Sequence, residues 1–314
     1  MKIVFLSRHQ ETIQRGAETF VGELSREFRK KHQVDILSGK RADSLNEILK
    51  NDYQIVIAIN GGIQSLRVSL GRLKKKYKLV ISGQAGIGKG EIFNIAVAKP
   101  DLYIALTETM FNFAKAWAWG GTRVIKIPNG VDLNKFKPIG EKKDLNLQKP
   151  IVLSVGALNW YKHHEETIKA VSLLDRGSLL LVGNGPEKNK LEYLGKKLLG
   201  DRFKIIWVEY KNLPEIYRGA NLFVLPSWGR EAFGIVYLEA MASGLGVVAP
   251  RDNSRQEVIG EAGIFTDVLD PKKYAQAIDQ ALNLNWKAKA IKQAEKFSWE
   301  KIAGQYEREF EKLL

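Results

Sequence analysis

The 314 residues contain no cysteine, which excludes disulfides, thiolate metal sites and a cysteine nucleophile. They also contain no apolar run approaching the ~18 residues that a membrane-spanning helix needs. The opening stretch Met1–Leu6 is apolar but short, and polar residues follow at once. It reads as a first buried strand rather than a signal peptide, which places the expected location in the cytoplasm. There is no internal repeat and no low-complexity segment, so a solenoid is excluded. Histidine is scarce, at four. Two are neighbours, His163 and His164. Adjacent histidines without further ligands make a poor metal site, so they read as structural residues or supports for a nearby group.

What is present is a chain long enough for two domains with separate cores. A hydrophobic fraction of 45% fits a globular protein. Charge is uneven. Residues 1–148 carry 25 Lys and Arg against 14 Asp and Glu, and residues 149–314 carry 24 against 21. Most of the formal net charge of +14 is therefore in the first half. Its densest part is Arg67–Lys78. Ile63, Leu66, Leu70, Leu73 and Tyr77 recur at helical spacing, which predicts one amphipathic helix with a basic outer face. Such a face is either simply solvated or adheres to an anionic membrane or acceptor. No recognised nucleic-acid module is present, so nucleic acid is not an expected partner.

Strand-like and helix-like segments alternate throughout, the pattern of an α/β protein with parallel sheets. The first half has strand-like runs near 2–6, 34–37, 54–59, 78–82, 101–106 and 123–127, with helical patterns notably at 17–31 and 107–118. The second half has runs near 150–155, 178–182, 203–208, 221–225, 245–249 and 263–266. Its helical patterns fall near 164–175, 187–199, 232–243 and 272–284. Two sets of six strands predict two doubly wound domains. The polar stretch Lys135–Lys149 reads as a linker. Ser298–Leu314 reads as a helix with Trp299, Ile302, Tyr306, Phe310 and Leu313 on one face.

The chemistry concentrates in Glu231–Pro250. Two carboxylates, Glu231 and Glu239, are separated by seven residues. A fully helical connection would place them ~12 Å apart along the axis, about the span from a sugar across a diphosphate to a ribose. The amides of Phe233, Gly234, Ile235 and Val236 open the predicted helix, where unpaired N–H groups and the helix dipole favour phosphate. Gly234 permits close backbone approach. A carboxylate within the apolar stretch 235–242 needs a partner. A second loop, Gly83–Gly90, nearly spells a P-loop. Its last position is Gly90, so the hydroxyl that would hold Mg2+ is missing.

Glu231 to Glu239 resembles the E-x7-E signature of glycosyltransferase family 4, retaining enzymes of GT-B fold. Three further segments agree in order. They are Ile127–Asp132 with Phe136 and Pro138, Val155–Lys162, and Val182–Pro186. The resemblance implies two Rossmann-like domains facing a central cleft. Residues 1–148 would be the acceptor-side domain and 149–297 the nucleotide-sugar-binding domain. The helix of 298–314 would pack back on the N-terminal domain. The resemblance further implies that Glu231 binds donor-sugar hydroxyls, Glu239 the ribose, and Lys162 the leaving diphosphate without a metal or other cofactor. Gly16, with Ala17 and Glu18, resembles the family's glycine-rich N-terminal loop near the donor. Gly183 and Asn129 fall in the donor motifs, although a structural elbow explains Asn129 and Asp132 at least as well. Glu257 matches a glutamate expected to support the donor loop.

Two family positions differ. Ala157 stands where the family carries an arginine, with Arg230 and Arg251 as candidate replacements. No histidine stands at the strand end Ile81–Gly88, leaving Gln84 or His9 to face the donor sugar. Arg8, His9 and Arg15 would give a cationic acceptor side. The expected activity is retaining transfer of a hexose from a nucleotide-sugar to a glycan or lipid-linked acceptor, in cell-surface glycan or glycolipid assembly. The protein could then sit on the inner face of a membrane. The alternatives are a non-catalytic protein that binds sugar nucleotides or membranes, and a nucleoside-triphosphate hydrolase using Gly83–Gly90.

Overall fold

A computed structural model describes residues 1–12, 16–59, 61–227 and 231–314. The described chain forms two compact units. The first comprises Met1–Gly130, Glu231–Phe233 and Phe297–Leu314, and the second Val131–Arg230 and Gly234–Lys296. The polar stretch 135–149 thus belongs to the second unit and the terminal helix to the first.

In the first unit the strands are β1 (Lys2–Leu6), β2 (Gln33–Leu37), β3 (Ile55–Ala58), β4 (Lys78–Ser82), β5 (Leu102–Ala105) and β6 (Arg123–Lys126). They form one sheet in the order β2-β1-β3-β4-β5-β6, and every pairing is parallel. The helices are α1 (Gly16–Phe28), α2 (Leu45–Leu49), α3 (Ile63–Gly71), α4 (Lys89–Ile92) and α5 (Glu108–Trp117). The helix of α4 runs on through a wider π-helical turn, Phe93–Val97.

In the second unit β7 (Ile151–Val155), β8 (Ser178–Val182), β9 (Phe203–Ile206), β10 (Leu222–Val224), β11 (Val247–Pro250) and β12 (Gly263–Thr266) form a parallel sheet. Its order is β12-β11-β10-β7-β8-β9. Its helices are α6 (His164–Ser172), α7 (Lys188–Leu199), α8 (Leu213–Gly219), α9 (Ile235–Ala242), α10 (Asn253–Ile259), α11 (Pro271–Leu282) and α12 (Lys287–Ala294). The last helix, α13 (Trp299–Glu311), returns to the first unit.

The sheets are parallel because their inner strands are predominantly apolar. β3, β5, β7 and β8 are buried at every residue. A strand buried on both faces needs helices on both faces, and only crossover connections supply them. Right-handed crossovers then fix which helix covers which face. In the first unit the chain steps one way from β1 to β2 and the other way from β2 through β6. α1 therefore lies on one face, and α2 to α5 lie on the opposite one. α13 joins α1. Phe28 packs on Phe310 at 5.7 Å, and Phe20 on Trp299 at 6.0 Å. Trp299, Ile302, Tyr306 and Phe310 of α13 are all in the core cluster of β1 and α1. Each such buried side chain contributes about 1.5–3 kcal/mol.

Two expectations fail locally. The apolar-basic helix stops at Gly71 rather than running to residue 78, and it is turned over. Ile63, Leu70 and Leu73 are 67%, 55% and 86% exposed, while Gln64, Ser65, Val68 and Gly71 are buried. Gln64 is drawn inward because its amide donates to Ala42 O and to Asp43. Gly71 is needed because a Cβ there would strike Tyr77 and Leu45. The second correction concerns 232–243. Helix α9 begins only at Ile235, since Gly234 adopts a left-handed conformation (φ 84°). Glu231 and Phe233 lie ahead of the helix in irregular chain.

Candidate active site

The two sheets have different switch points. In the first the chain reverses direction between β1 and β3, in the second between β7 and β10. Ligands of doubly wound sheets bind beyond the carboxyl ends of the strands at such points. The sequence candidates can be placed against them.

In the second unit, Gly156 follows β7 and Gly183 follows β8. The two loops are zipped together by Gly156 N to Val182 O (3.0 Å), Leu158 N to Asn184 O (3.0 Å) and Glu187 N to Leu158 O (2.9 Å). A Cβ at Gly183 would overlap the carbonyl of Gly156, and one at Gly185 would meet Leu158 O at 2.5 Å. Here glycine is required by backbone proximity. The motifs Val155–Lys162 and Val182–Pro186 are thus one structure.

Lys162 ends a short 3-10 turn, Trp160–Lys162. A Cβ on Gly156 would lie 3.9 Å from Lys162 Cε and 4.0 Å from Leu225 Cδ1. The lysine stem therefore crosses Gly156 at the end of β7, beside the end of β10. This is the switch point of the sheet. The turn that delivers it uses His163 in the left-handed region (φ 53°), uncommon for a residue with a side chain.

His164 opens α6 and is buried. Its Nδ1 lies 3.3 Å from Ser154 Oγ, and its Nε2 is buried without a hydrogen-bond partner. Burial, helped by the Lys162 charge, pushes its pKa down to about 3. The imidazole is neutral at physiological pH and leaves Lys162 as the cation of this corner. That fits the supporting role expected for this histidine.

Glu239 sits in α9, a helix whose residues are nearly all buried. The residue is 2% exposed. Tyr210 donates to Oε1 and Tyr217 to Oε2, each at 2.9 Å. Burial and the adjacent carboxylate raise the Tyr217 pKa well above its usual value, so this hydroxyl stays a donor. The rings of Tyr210 and Tyr217 each lie 5.7 Å from Phe136, the aromatic of the motif after Asp132. Neither tyrosine was identified as a site residue from sequence. The need for a partner at Glu239 was legible, but nothing local pointed to positions 22 and 29 residues earlier. Gly234 and Ile235 are buried at the start of α9 and Val236 is half-buried.

Among the candidate phosphate partners, Arg251 is exposed and donates to Phe265 O at 2.9 Å. Arg230 and Arg15 lie outside the described residues. Arg255 is buried and clamps the loop after β10 through Ser227 O at 3.1 Å. Glu257 is half-buried on α10.

In the first unit, Arg8 and His9 follow β1 and so lie at that sheet's switch point. Arg8 grips Asp43 with a two-pronged ion pair, 2.8 Å from Nε and 2.7 Å from the second nitrogen. That pair, first by hydrogen bonding, lowers the Asp43 pKa. Gln84 and Asn129 come together as a reciprocal amide pair with both bonds at 3.0 Å. Gln84 also donates to Ser82 Oγ, which lies 3.3 Å from Tyr306 of α13. Gly130 next to Asn129 abuts Trp299. These contacts give the Pro-Asn-Gly segment a firm structural role. Gly16 is the exposed first residue of α1. Glu231 is half-buried and Phe233 buried, the latter 6.2 Å from Phe297. In the loop Gly83–Gly90, Gly83 is packed against Tyr103 and Met110 while Gly88 and Gly90 face open space. Among the described residues no three His, Asp or Glu side chains cluster as metal ligands would. Nor is any described helix long and apolar enough to cross a membrane.

Comparison with known proteins adds the following. The model of glycosyl transferases group 1 matches residues 136–297, just over half of the chain. An uncharacterized glycosyltransferase of Methanocaldococcus jannaschii is 31% identical over 190 residues, covering 55% of this chain and 48% of the relative. The chain spans about half or less of the curated relatives it matches first. In structure it is similar to sucrose-phosphate synthase from Thermosynechococcus elongatus, with a TM-score of 0.84 and 20% identity over 100% of this chain and 99% of the other. It is similar also to the Anabaena protein HepE in complex with UDP-glucose, with a TM-score of 0.79 and 18% identity over 99% of this chain and 100% of the other. These likenesses fix the fold as GT-B.

Proposed function

Since the chain belongs to the glycosyl transferases group 1 family, we propose that it is a retaining glycosyltransferase that moves a hexose from a nucleotide-sugar donor to an acceptor hydroxyl. The observation that carries this reading is the switch point of the second sheet. There the glycine-zipped ends of β7 and β8 hold Lys162 over Gly156. Support comes also from the solved relative that carries UDP-glucose.

In this reading the donor lies on the second unit. Lys162 and the open amides at the start of α9 take up the charge of the departing diphosphate. Glu239, oriented by its two tyrosines, accepts from the ribose. Glu231 accepts from donor-sugar hydroxyls. The acceptor hydroxyl attacks from the face the diphosphate leaves, and the leaving phosphate takes up its proton. Catalysis is then positioning plus stabilisation of the leaving charge, and no metal takes part. A glycosidase would need carboxyls ~5–9 Å apart across the scissile bond, and the E-x7-E spacing does not suggest that pairing. Arg8 and His9, at the switch point of the first sheet, face the acceptor. The acceptor is a glycan or lipid-linked glycan, and the reaction belongs to cell-surface glycan assembly on the cytoplasmic side.

The test is release of nucleoside diphosphate from UDP-, GDP- and ADP-sugars in the presence of candidate acceptors, with EDTA present throughout. Turnover that Glu231→Ala and Lys162→Ala each abolish, in folded protein, supports the assignment. Full activity in both variants sinks it.

A further inference from the structure

The inverted helix α3 has neighbours that share its character. Among the described residues of 1–130, the large exposed apolar side chains fall between Ile63 and Trp119. They include Leu70, Leu73, Val97, Trp117 and Trp119, at 55%, 86%, 46%, 43% and 54% exposure. These five come from the last turns of α3, of the α4 extension and of α5, or from residues just beyond. All three helices cover the same face of the sheet and run antiparallel to its strands. Their C-terminal ends therefore meet at one corner, beside the amino-terminal edge of the strands.

Contacts confirm that the three ends touch. The Arg72 guanidinium, just after α3, donates to Lys99 O at 2.8 Å and to Ala98 O at 3.4 Å. Trp119 Nε1 donates to Ala96 O at 2.8 Å. Lys99 Nζ lies 3.3 Å from the centre of a Trp119 ring. The corner is strongly basic. Arg72 and Lys75 are paired there with Asp101 and Asp52, while Lys74, Lys76 and Lys115 are exposed beside the apolar side chains, in the half of the chain that carries most of the positive charge.

We propose that this corner docks on an anionic phospholipid bilayer, with Leu70, Leu73 and the two tryptophans entering the headgroup region. The proposal goes beyond the transferase reading and does not depend on it. A purely solvated face would not place leucine and tryptophan outward while Gln64 and Ser65 go in. A protein-only interface would not favour such a density of unmatched like charge. Interleaved leucine, tryptophan and lysine suit the bilayer boundary, where apolar tips are buried and cations meet lipid phosphate. The switch point of the first sheet, with Arg8 and His9, lies at the other end of these strands.

The test is flotation of the whole protein with neutral phosphatidylcholine vesicles and with vesicles holding about 30% phosphatidylglycerol. The wild type should float with the anionic vesicles at low salt and dissociate as salt rises. Leu70→Asp/Leu73→Asp should lower the partition coefficient at least about tenfold, and Lys74→Glu/Lys76→Glu should do likewise. Both pairs are exposed, so unfolding midpoints should not move. Three results would each overturn the proposal: no flotation of wild type with anionic vesicles, equal flotation with neutral ones, or a concentration-dependent dimer by sedimentation that Leu70→Asp/Leu73→Asp abolishes while vesicle binding is absent. Nucleotide-sugar binding, measured on the same variants without lipid, reports separately on the transferase reading.

Discussion

The two units are built on nearly the same sheet and both bury polar residues, Gln64 and Glu91 in the first and Glu239 and His164 in the second, yet they differ in how far local pattern foretells the result. The second unit has its switch point between β7 and β10 and draws polar groups inward there. Glu239 is held by two tyrosines and His164 is buried neutral under the Lys162 loop. The first unit has its switch point one strand closer to an edge and moves apolar groups outward, on α3 and at the end of α5. A family model finds the second unit and not most of the first. The difference teaches that glycines required by backbone proximity leave a sharp sequence trace. What faces outward on a helix is selected by partners distant in sequence, which local periodicity misreads.

The largest expected effects are in the second unit. Lys162→Ala should lower kcat/KM for transfer by at least about 100-fold, the scale of losing one stabiliser of a leaving charge. Leu73→Asp in the first unit should leave transfer to a soluble acceptor intact. Steady-state kinetics on the two variants break the comparison if both are equally impaired.

Glycines give the next contrast. Gly183→Ala must push apart the ends of β7 and β8 and should cost on the order of 3 kcal/mol by urea unfolding. Gly88→Ala, with open space around it and an extended backbone, should stay within about 0.5 kcal/mol. A tolerant Gly183 would mean that the zipped loops are not rigid.

Glu239→Ala should cost about 2–3 kcal/mol, because it removes the 2.9 Å acceptor of the buried Tyr217 hydroxyl, which keeps only Val236 O at 3.5 Å, and that of the half-buried Tyr210. Glu239→Gln keeps an acceptor oxygen and should recover part of that loss. Urea midpoints with unchanged m-values would check both.

The smallest effect is in pH. His164 has its pKa lowered from 6.5 to about 3 in the fold. Between those values the unfolded chain binds a proton that the native protein refuses, so stability falls as pH drops through that window. Glu91 in the first unit is shifted the other way. Burial, against its bonds from Asn94 and Tyr103, raises it above 4.5. Its contribution is present below 4.5 and is lost as pH rises through the raised value. His164→Asn should flatten the loss of melting temperature on acidification, and Glu91→Gln should flatten the opposite trend. Identical pH profiles for both variants and wild type would contradict this.

All twelve strand positions were legible within a residue or two, the inner ones because a strand buried on both faces must be predominantly apolar, and the partly exposed edge strands β2, β6, β9 and β12 from shorter apolar runs. The two motifs Val155–Lys162 and Val182–Pro186 were legible as segments, because close backbone approach demands glycine at Gly183 and Gly185; their zipping together was not. Helix α3 was not. Periodicity assumes that apolar residues face inward, and here Ala42 O and the ring of Tyr77 select Gln64 and Gly71 instead. The start of α9 was placed too early, since the left-handed Gly234 shortens the helix and leaves Glu231 outside it. Arg8 was expected on the acceptor side and Gln84 as a candidate to face the donor sugar. The fold gives them the partners Asp43 and Asn129, and neither pairing has a local signature.

The most direct measurement is thermal unfolding of wild type and Lys162→Ala against UDP, GDP and ADP, their sugars, and ATP with and without Mg2+. A ligand that binds only the native state at 100 times its Kd adds about 2.7 kcal/mol, which is readily seen in the midpoint. The account predicts a shift with one nucleoside diphosphate and its sugar, without metal, that Lys162→Ala removes. No shift with any diphosphate, or a shift only with Mg-ATP that Lys89→Ala removes instead, would contradict it.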